Sequence, residues 1–247
     1  MANKPKKNQP ETPNESQVRD SFWTPNYATD LLIPFLDVSF PVWECAAGSG
    51  RMTNRFLYHG FKVFSSEISE TNCFKQANFL SDPIPSTFEL GNKRNFAIVT
   101  NPPYSLKEKF YNRCLYYAVP FALLIPADYS GWIIEAVKGG AEKIIPTRRI
   151  DYITPSVLEI VFKGQLKRLI ELETKVKYKK FNLIPDKIIE EYRNKVDKYS
   201  TVDEIPNKIL QKYSASQFHS MWLTHGLGIG RTETFVDLTI EMKENIK

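Results

Sequence analysis

The stretch Asn101-Pro102-Pro103-Tyr104 combines residue types that could do chemistry. Each proline fixes its own φ, removes an N–H and pushes the residue before it into an extended conformation, so the turn is stiff. The Asn101 side-chain oxygen and the Pro102 carbonyl are then two acceptors with little freedom, next to an aromatic ring. That set suits a planar amine, one that donates two hydrogen bonds and stacks on Tyr104. The apolar run Phe96-Ala97-Ile98-Val99 precedes the turn and fits a strand buried on both faces of a parallel sheet. Open α/β sheets bind their ligands at the carboxyl ends of such strands. The plainer alternative, that Asn-Pro-Pro only ends a strand, stands beside this one.

A second group of residues could hold a cofactor. Pro41–Cys45 reads as a buried strand, with Glu44 near its end. Ala46-Ala47-Gly48-Ser49-Gly50 follows, and then a helical run through Met52, Phe56 and Leu57 to Gly60. Small residues let the backbone approach a ligand closely, and a helix start offers free N–H groups. The spacing is not the GxGxxG of dinucleotide binders. The next strand, Phe61–Ile68, carries Glu67 seventeen residues after Gly50, where a carboxylate can accept from both ribose hydroxyls. An exposed strand-end acid is the alternative for Glu67, and a tight turn is the alternative for Gly-x-Gly.

These motifs together resemble the amino-methyltransferases that use S-adenosylmethionine (SAM). Asn-Pro-Pro-Tyr resembles their motif IV in the form typical of adenine-N6 methylation, which implies catalytic roles for Asn101, Pro102, Pro103 and Tyr104. The glycine stretch looks like motif I, which implies cofactor contacts for Glu44, Ala46, Gly48 and Gly50, with Glu67 and Ile68 on the next strand. Trp23-Thr24-Pro25, preceded by Phe22, resembles motif X, which lines the methionine end of SAM. Asn78-Phe79 falls where the family has an acid that bonds the adenine amine and a ring that packs on its face. Asn78 departs from the acid, but an amide oxygen can still accept, and Asp82 could supply the acid. The resemblance covers 22–132 well and the remainder weakly. It implies a Rossmann-like class I SAM methyltransferase fold: a seven-stranded, mostly parallel sheet with helices on both faces and a helical insertion.

The surrounding elements must position these residues. Residues 1–20 are polar, without periodicity, and expected to be disordered. Ala28, Leu31, Leu32 and Phe35 have helical spacing, with Thr24 suited to cap the helix and Pro25 to its first position. Leu106, Phe110, Cys114, Leu115 and Tyr117 suggest an amphipathic helix, Phe121–Pro126 a buried strand, and Asp128–Trp132 the opening of another helix. Strands alternating with helices over 22–132 indicate a doubly wound sheet, and the core is taken as 21–154. Arg148 and Arg149 fall within an expected strand over 142–153 and suit phosphate contact, or else edge-strand solubility. Residues 215–247 supply closing strands, one over 217–225 with Phe218 and Trp222 on one face and one over 234–242. Phage-type adenine methyltransferases have a similar arginine strand followed by an aromatic-Ser-x-Trp strand. That likeness puts Arg148, Arg149 and Trp222 with Tyr104 among the substrate contacts. Phe218 and Trp222 otherwise read as core.

Residues 155–214 differ from the sheet. Two apolar stripes at helical spacing, Leu158 to Val176 and Ile188 to Tyr199, carry Lys175, Lys177, Lys179, Lys180 and Lys187 on their polar sides. Pro185 suits the start of the second helix, and Ser200–Glu204 contains two capping-box patterns before a third. The insertion reads either as a DNA-recognition element or as a packed subdomain with a solvated face.

Composition narrows the classes. With 42% hydrophobic and 25% charged residues the chain is an ordinary globular one, and its net charge of +5 agrees with a polyanionic partner without requiring one. Three widely spaced cysteines argue against a disulfide framework and a metal site, and fit a reducing, cytoplasmic compartment. No run is long and apolar enough to span a bilayer. The reading is methyl transfer from SAM to the N6 amine of a flipped adenine in duplex DNA, in a restriction-modification, solitary or phage setting. Nothing in it identifies a partner subunit, and no membrane is implied. The alternatives are N-methylation of protein glutamine or rRNA guanine, and a nucleic-acid-binding protein that has lost catalysis.

Overall fold

The computed structural model describes residues 22–70, 74–84, 86, 95–154, 156–214 and 218–247. The expected disordered arm and Ser21 lie outside them. Helix α1 (Asn26–Asp30) leads to β1 (Val42–Glu44), α2 (Arg51–Tyr58), β2 (Val63–Glu67) and β3 (Lys75–Gln76). Then come β4 (Ala97–Thr100), α3 (Lys107–Tyr117), β5 (Phe121–Pro126), α4 (Gly131–Lys138) and β6 (Glu142–Pro146). Helices α5 (Val157–Thr174), α6 (Asp186–Tyr192) and α7 (Asn207–Tyr213) precede β7 (Ser220–His225), β8 (Glu233–Val236) and α8 (Ile240–Lys243).

The strands form one eight-stranded sheet in the order β3-β2-β1-β4-β5-β7-β6-β8. Neighbours are parallel except at β7, which runs antiparallel to both β5 and β6. The part 3-2-1-4-5 is the doubly wound, Rossmann-like order, and the expected mixed α/β architecture with a mostly parallel sheet is what the chain adopts. The expectation of seven strands falls one short, because Lys75–Gln76 adds a two-residue edge strand parallel to β2. The strand order reverses between β1 and β4, which pair directly, Val42 opposite Ala97 and Trp43 opposite Ile98. That switch point opens a crevice at the carboxyl ends of two adjacent strands. One strand feeds the glycine turn and the other feeds Asn101.

The central strands are buried at nearly every position, and because successive side chains point to opposite faces the sheet has two apolar faces. Ala97, Val99, Ala122, Leu124 and Trp222 face a layer built from Tyr27, Ala28, Leu32, Met52, Phe56 and the start of α5. Ile98, Trp43, Leu123 and Ile125 face α3 and α4 through Phe110, Cys114, Tyr117, Ile133 and Ala136. Helix α5 leaves the first layer after Val161, and its later residues Leu166 and Ile170 join Ile184 and Tyr192 in a small separate core. Gly164 sits where Tyr213 of α7 crosses α5. A Cβ there would stand 2.2 Å from the tyrosine oxygen, which explains a glycine inside a helical stripe.

Three sequence expectations are corrected. The helix expected through Phe35 ends at Asp30 and resumes as a 3-10 turn over Ile33–Phe35, because Pro34 breaks the hydrogen-bond ladder. The strand expected over 142–153 ends at Pro146, where His219 Nε2 meets the Pro146 carbonyl at 2.6 Å. The closing strand expected to Met242 ends at Val236. Thr239 then caps α8 by accepting from the Met242 N–H. His59, which pairs with Asp30, and His225, which stacks on Phe121, have structural partners, as His219 does.

Candidate functional site

Asn101 follows the last residue of β4, held by the rigid Pro102-Pro103 turn. Its Nδ2 donates to the Phe22 carbonyl at 3.3 Å and to Thr24 Oγ1 at 3.1 Å. A backbone carbonyl only accepts, so the amide atom facing it must be the NH2 group. Asn101 Oδ1 is therefore the remaining end, and it has no hydrogen-bond partner among the described residues although it is buried. An orphaned buried acceptor costs about 1–3 kcal/mol. Such atoms are rare enough in native structures to call for a functional explanation.

The segment carrying Phe22 and Thr24 is a strap. Trp23 exchanges backbone hydrogen bonds with Ile153, at 2.8 and 3.2 Å. Phe22 stacks on Tyr104 at 5.4 Å between ring centroids. Tyr104 also meets Phe218 edge-on at 5.3 Å, and Tyr152 lies against Phe22 and Phe218. Burial pushes the Tyr152 phenol up to about 12, against hydrogen bonds with Ser220 and Tyr104 that pull it down, so the ring stays neutral. Tyr104 thus belongs to an aromatic cluster of four rings. Sequence reasoning did not place Phe22, Tyr152 or Phe218 there, because their contacts join distant parts of the chain. Thr24 does not cap α1, as it was expected to; Pro25 occupies the cap position and the Thr24 hydroxyl serves Asn101 instead.

The glycine turn lies beside this. Gly48 has φ +51° and open space where a Cβ would project, and its N–H donates to Glu67 Oε2 at 2.7 Å. Glu67 Oε1 accepts from the N–H of Ile68, whose side chain is exposed. A carboxylate therefore stands at the tip of β2 against the turn, in reach of the crevice. Gly50 has φ +76°, and a Cβ on it would stand 2.5 Å from the Phe74 ring, so the turn packs directly on an aromatic that the sequence did not flag. Ala46 is half-buried against the α3 side of the core.

Glu44 is placed differently from its neighbours in the motif. It is buried, and its carboxylate takes the Thr53 hydroxyl of α2, which in turn touches Ser65 Oγ at 2.7 Å. Burial raises its pKa to about 8, opposed by the Thr53 hydrogen bonds and helped by the Glu67 charge. It ties β1 to α2 beneath the turn.

Three expected contacts are corrected. Asn78 Oδ1 accepts from its own chain at Leu80 N, 3.0 Å, and the Asn78 N–H donates to Asp82, so both residues close a local turn. Phe79 is 3% exposed and packs among Trp43, Phe110 and Tyr117, leaving no face for an adenine ring. Trp222 is fully buried and donates its ring N–H to the Ala28 carbonyl at 3.1 Å, because β7 is interior to the sheet. Arg148, in a bend just past β6, and Arg149 after it are exposed, and the Arg148 charge helps hold Glu241 below the usual carboxylate range, after hydrogen bonding at Glu241 itself and from Thr239. Since β4 and β6 point the same way, these arginines lie on the carboxyl edge that carries Asn101.

A cavity of about 470 Å³ opens between the strap, the glycine turn and the insertion, lined by Trp23, Asn26, Ser49, Arg51 and Asp203 among others. That volume is in the range of small-molecule sites. Arg51 pairs with Asp203 at 3.0 Å and lies over the Trp23 ring, linking the turn to the insertion. On the other side of the crevice Lys107 pairs with Asp128. Burial there pushes Asp128 up, but hydrogen bonds from Lys107 and Ser130 outweigh it and hold the carboxyl below its ordinary value. No helix among the described residues is long and apolar enough to cross a membrane.

No protein-family model and no curated protein matches the sequence. Among solved structures, the chain is similar to the glycopeptide N-methyltransferase MtfA with S-adenosyl-L-homocysteine, at 19% identity and TM-score 0.32, over 48% of this chain and 56% of that one. It thus spans little more than half of that chain. The MtfA complex with S-adenosyl-L-methionine is 15% identical, TM-score 0.35, over 82% and 93%. The 23S rRNA methyltransferase ErmE is 17% identical, TM-score 0.35, over 57% and 75%. All these TM-scores are below 0.5, so the fold rests on the sheet order alone.

Proposed function

We propose that the protein transfers a methyl group from SAM to the exocyclic N6 amine of an adenine in DNA. The observation that carries this reading is the unpartnered Asn101 Oδ1, held at the carboxyl end of β4 by an amide whose two hydrogens are already taken. An amine N–H is the complementary donor. The residues present fit the methyl donor at the glycine turn. Glu67 offers an acceptor for ribose hydroxyls, and the cavity lined by Trp23 and Ser49 adjoins the turn. They do not fit the expected adenine contacts of Asn78 and Phe79.

Held at the glycine turn by Glu67 and the residues around Ser49, SAM would supply an electrophilic methyl; its transfer would make a bond to the amine nitrogen, leave the pair of the broken sulfur–carbon bond on sulfur, and release one amine proton to solvent. Asn101 Oδ1 and the Pro102 carbonyl accept the amine hydrogens, which favours a pyramidal nitrogen and turns its lone pair outward. Positioning and electrostatics carry such a step, with no strong base needed for attack. The aromatic cluster around Tyr104 receives the base, which must leave the stack because N6 is paired in a duplex. Arg148 and Arg149 contact phosphate, which orients the duplex without reading its sequence. The 155–214 helices, with their exposed lysines, are the element proposed to recognise DNA.

Incubation with methyl-labelled SAM and duplex DNA, with RNA and protein controls, tests the reading. Label in adenine of DNA is expected. Label only in protein or RNA removes the DNA substrate, and failure to bind SAM leaves a nucleic-acid-binding protein.

A further inference from the structure

The family likeness assigns Thr24 to the methionine end of the cofactor, yet the Thr24 hydroxyl lies 3.1 Å from the amide nitrogen of Asn101. Thr24 is itself buried, at 6% exposure, and the strap around it is fastened at several points. Trp23 bridges to Ile153 on one side. On the other, the Tyr27 hydroxyl accepts from the Asp151 N–H at 2.7 Å. The threonine oxygen is thus fixed in position rather than mobile.

An asparagine amide can rotate by half a turn at almost no steric cost, exchanging oxygen for nitrogen. In a site that needs an acceptor, the wrong rotamer presents N–H groups to an amine and repels it. A carbonyl facing the amide removes the ambiguity, and a second partner holds the torsion. The reversed amide would set its oxygen against the Phe22 carbonyl, which can only accept, so that carbonyl at 3.3 Å fixes the sense of the amide, while Thr24 Oγ1 at 3.1 Å takes its second hydrogen. The Phe22 carbonyl alone would leave one amide hydrogen unheld and the torsion loose.

We propose that Thr24 is a positioning residue for methyl transfer, which with the Phe22 carbonyl fixes the Asn101 amide so that Oδ1 faces the substrate amine. This rests on the adenine-amine reading above. It makes the strap a part of the catalytic geometry and gives its threonine a role through Asn101, separate from any contact with the donor.

Thr24→Val keeps the shape and removes the acceptor; Thr24→Ser keeps the hydroxyl. For Thr24→Val, kcat on DNA should fall about tenfold or more, since small misplacements at a reacting centre are costly. KM for DNA and the Kd for SAM should stay within about twofold, a change worth only a few tenths of a kcal/mol. Thr24→Ser should restore most of kcat. Unchanged kcat in Thr24→Val, or loss of SAM affinity in place of kcat, overturns the proposal. A second measurement does not need turnover: the Asn101 side-chain NH2, observed by ¹⁵N NMR, should be protected from hydrogen exchange in the wild type and exposed in Thr24→Val. If the wild type methylates no DNA, the substrate reading fails, and a protected NH2 still upholds the Thr24–Asn101 contact. An unprotected NH2 in the wild type overturns it.

Discussion

Two asparagines in this molecule were expected to offer a side-chain oxygen to an amine, and they end in opposite states. Asn78 spends Oδ1 on Leu80 N, two residues away, in a turn closed with Asp82. Asn101 is followed by two prolines, which rule out such a local turn on its carboxyl side, since Pro102 and Pro103 have no N–H to give. Its amide reaches the strap instead, and its oxygen is left over. In this molecule the asparagine whose own backbone can use its oxygen does so, and the one followed by prolines keeps its oxygen for a ligand. A stiff, donor-poor turn serves a binding site where an ordinary turn serves itself.

The sharpest way to break this contrast is to remove each amide in turn. Asn101→Ala should lower methyl transfer about 10²–10³-fold, as loss of a preorganised polar group at a reacting centre does. The fold should survive with a loss of about 1–2 kcal/mol, because the Phe22 carbonyl and the Thr24 hydroxyl lose their donor. Comparable activity in the variant would end the assignment. Glu67→Gln sharpens the cofactor side: SAM affinity by calorimetry should drop about tenfold, the size of one charge-assisted hydrogen bond, with DNA affinity unaltered. The double variant Arg148→Ala, Arg149→Ala should weaken DNA binding and reduce the salt slope of log K by about 1.8, roughly 0.9 for each phosphate no longer neutralised. An unchanged slope would move the phosphate contacts elsewhere, to the lysines of the insertion.

Glu44 contrasts with Glu67 as Asn78 does with Asn101. It is buried with its partner while Glu67 stays near the crevice. Its pKa is raised from an ordinary 4.5 to about 8 by burial, so between these values the folded chain keeps a proton that the unfolded chain releases. That contribution to stability is complete below pH 4.5 and is lost as pH rises through about 8. Glu44→Gln should therefore flatten the decline of melting temperature over this window. A decline as steep as in the wild type would show that other groups cause it. The smallest effect is expected from Asn78→Ala, which should cost about 1 kcal/mol of stability by denaturant unfolding and leave activity within about threefold. A loss of SAM affinity there would restore Asn78 to the cofactor site.

Much of this molecule is legible in its sequence where the physics is local. A proline pair after an apolar run makes a rigid strand end whatever surrounds it. Glycines between a strand and a helix must turn tightly, and strands alternating with helices imply a doubly wound sheet. Those signals place Asn101, Gly48, Gly50 and Glu67 at the carboxyl edge before any tertiary contact is known. The pattern fails where a residue has two uses of equal local cost. Phe79 could line a ligand or fill the core, and only the neighbouring Trp43 and Phe110 decide. Trp222 reads the same on an edge or an interior strand, and only the insertion of β7 between β5 and β6 buries it. The orientation of the Asn101 amide depends on a segment far away in sequence that returns to meet it. No periodicity encodes that meeting, because it comes from the packing of the strap across the sheet rather than from the residues on either side.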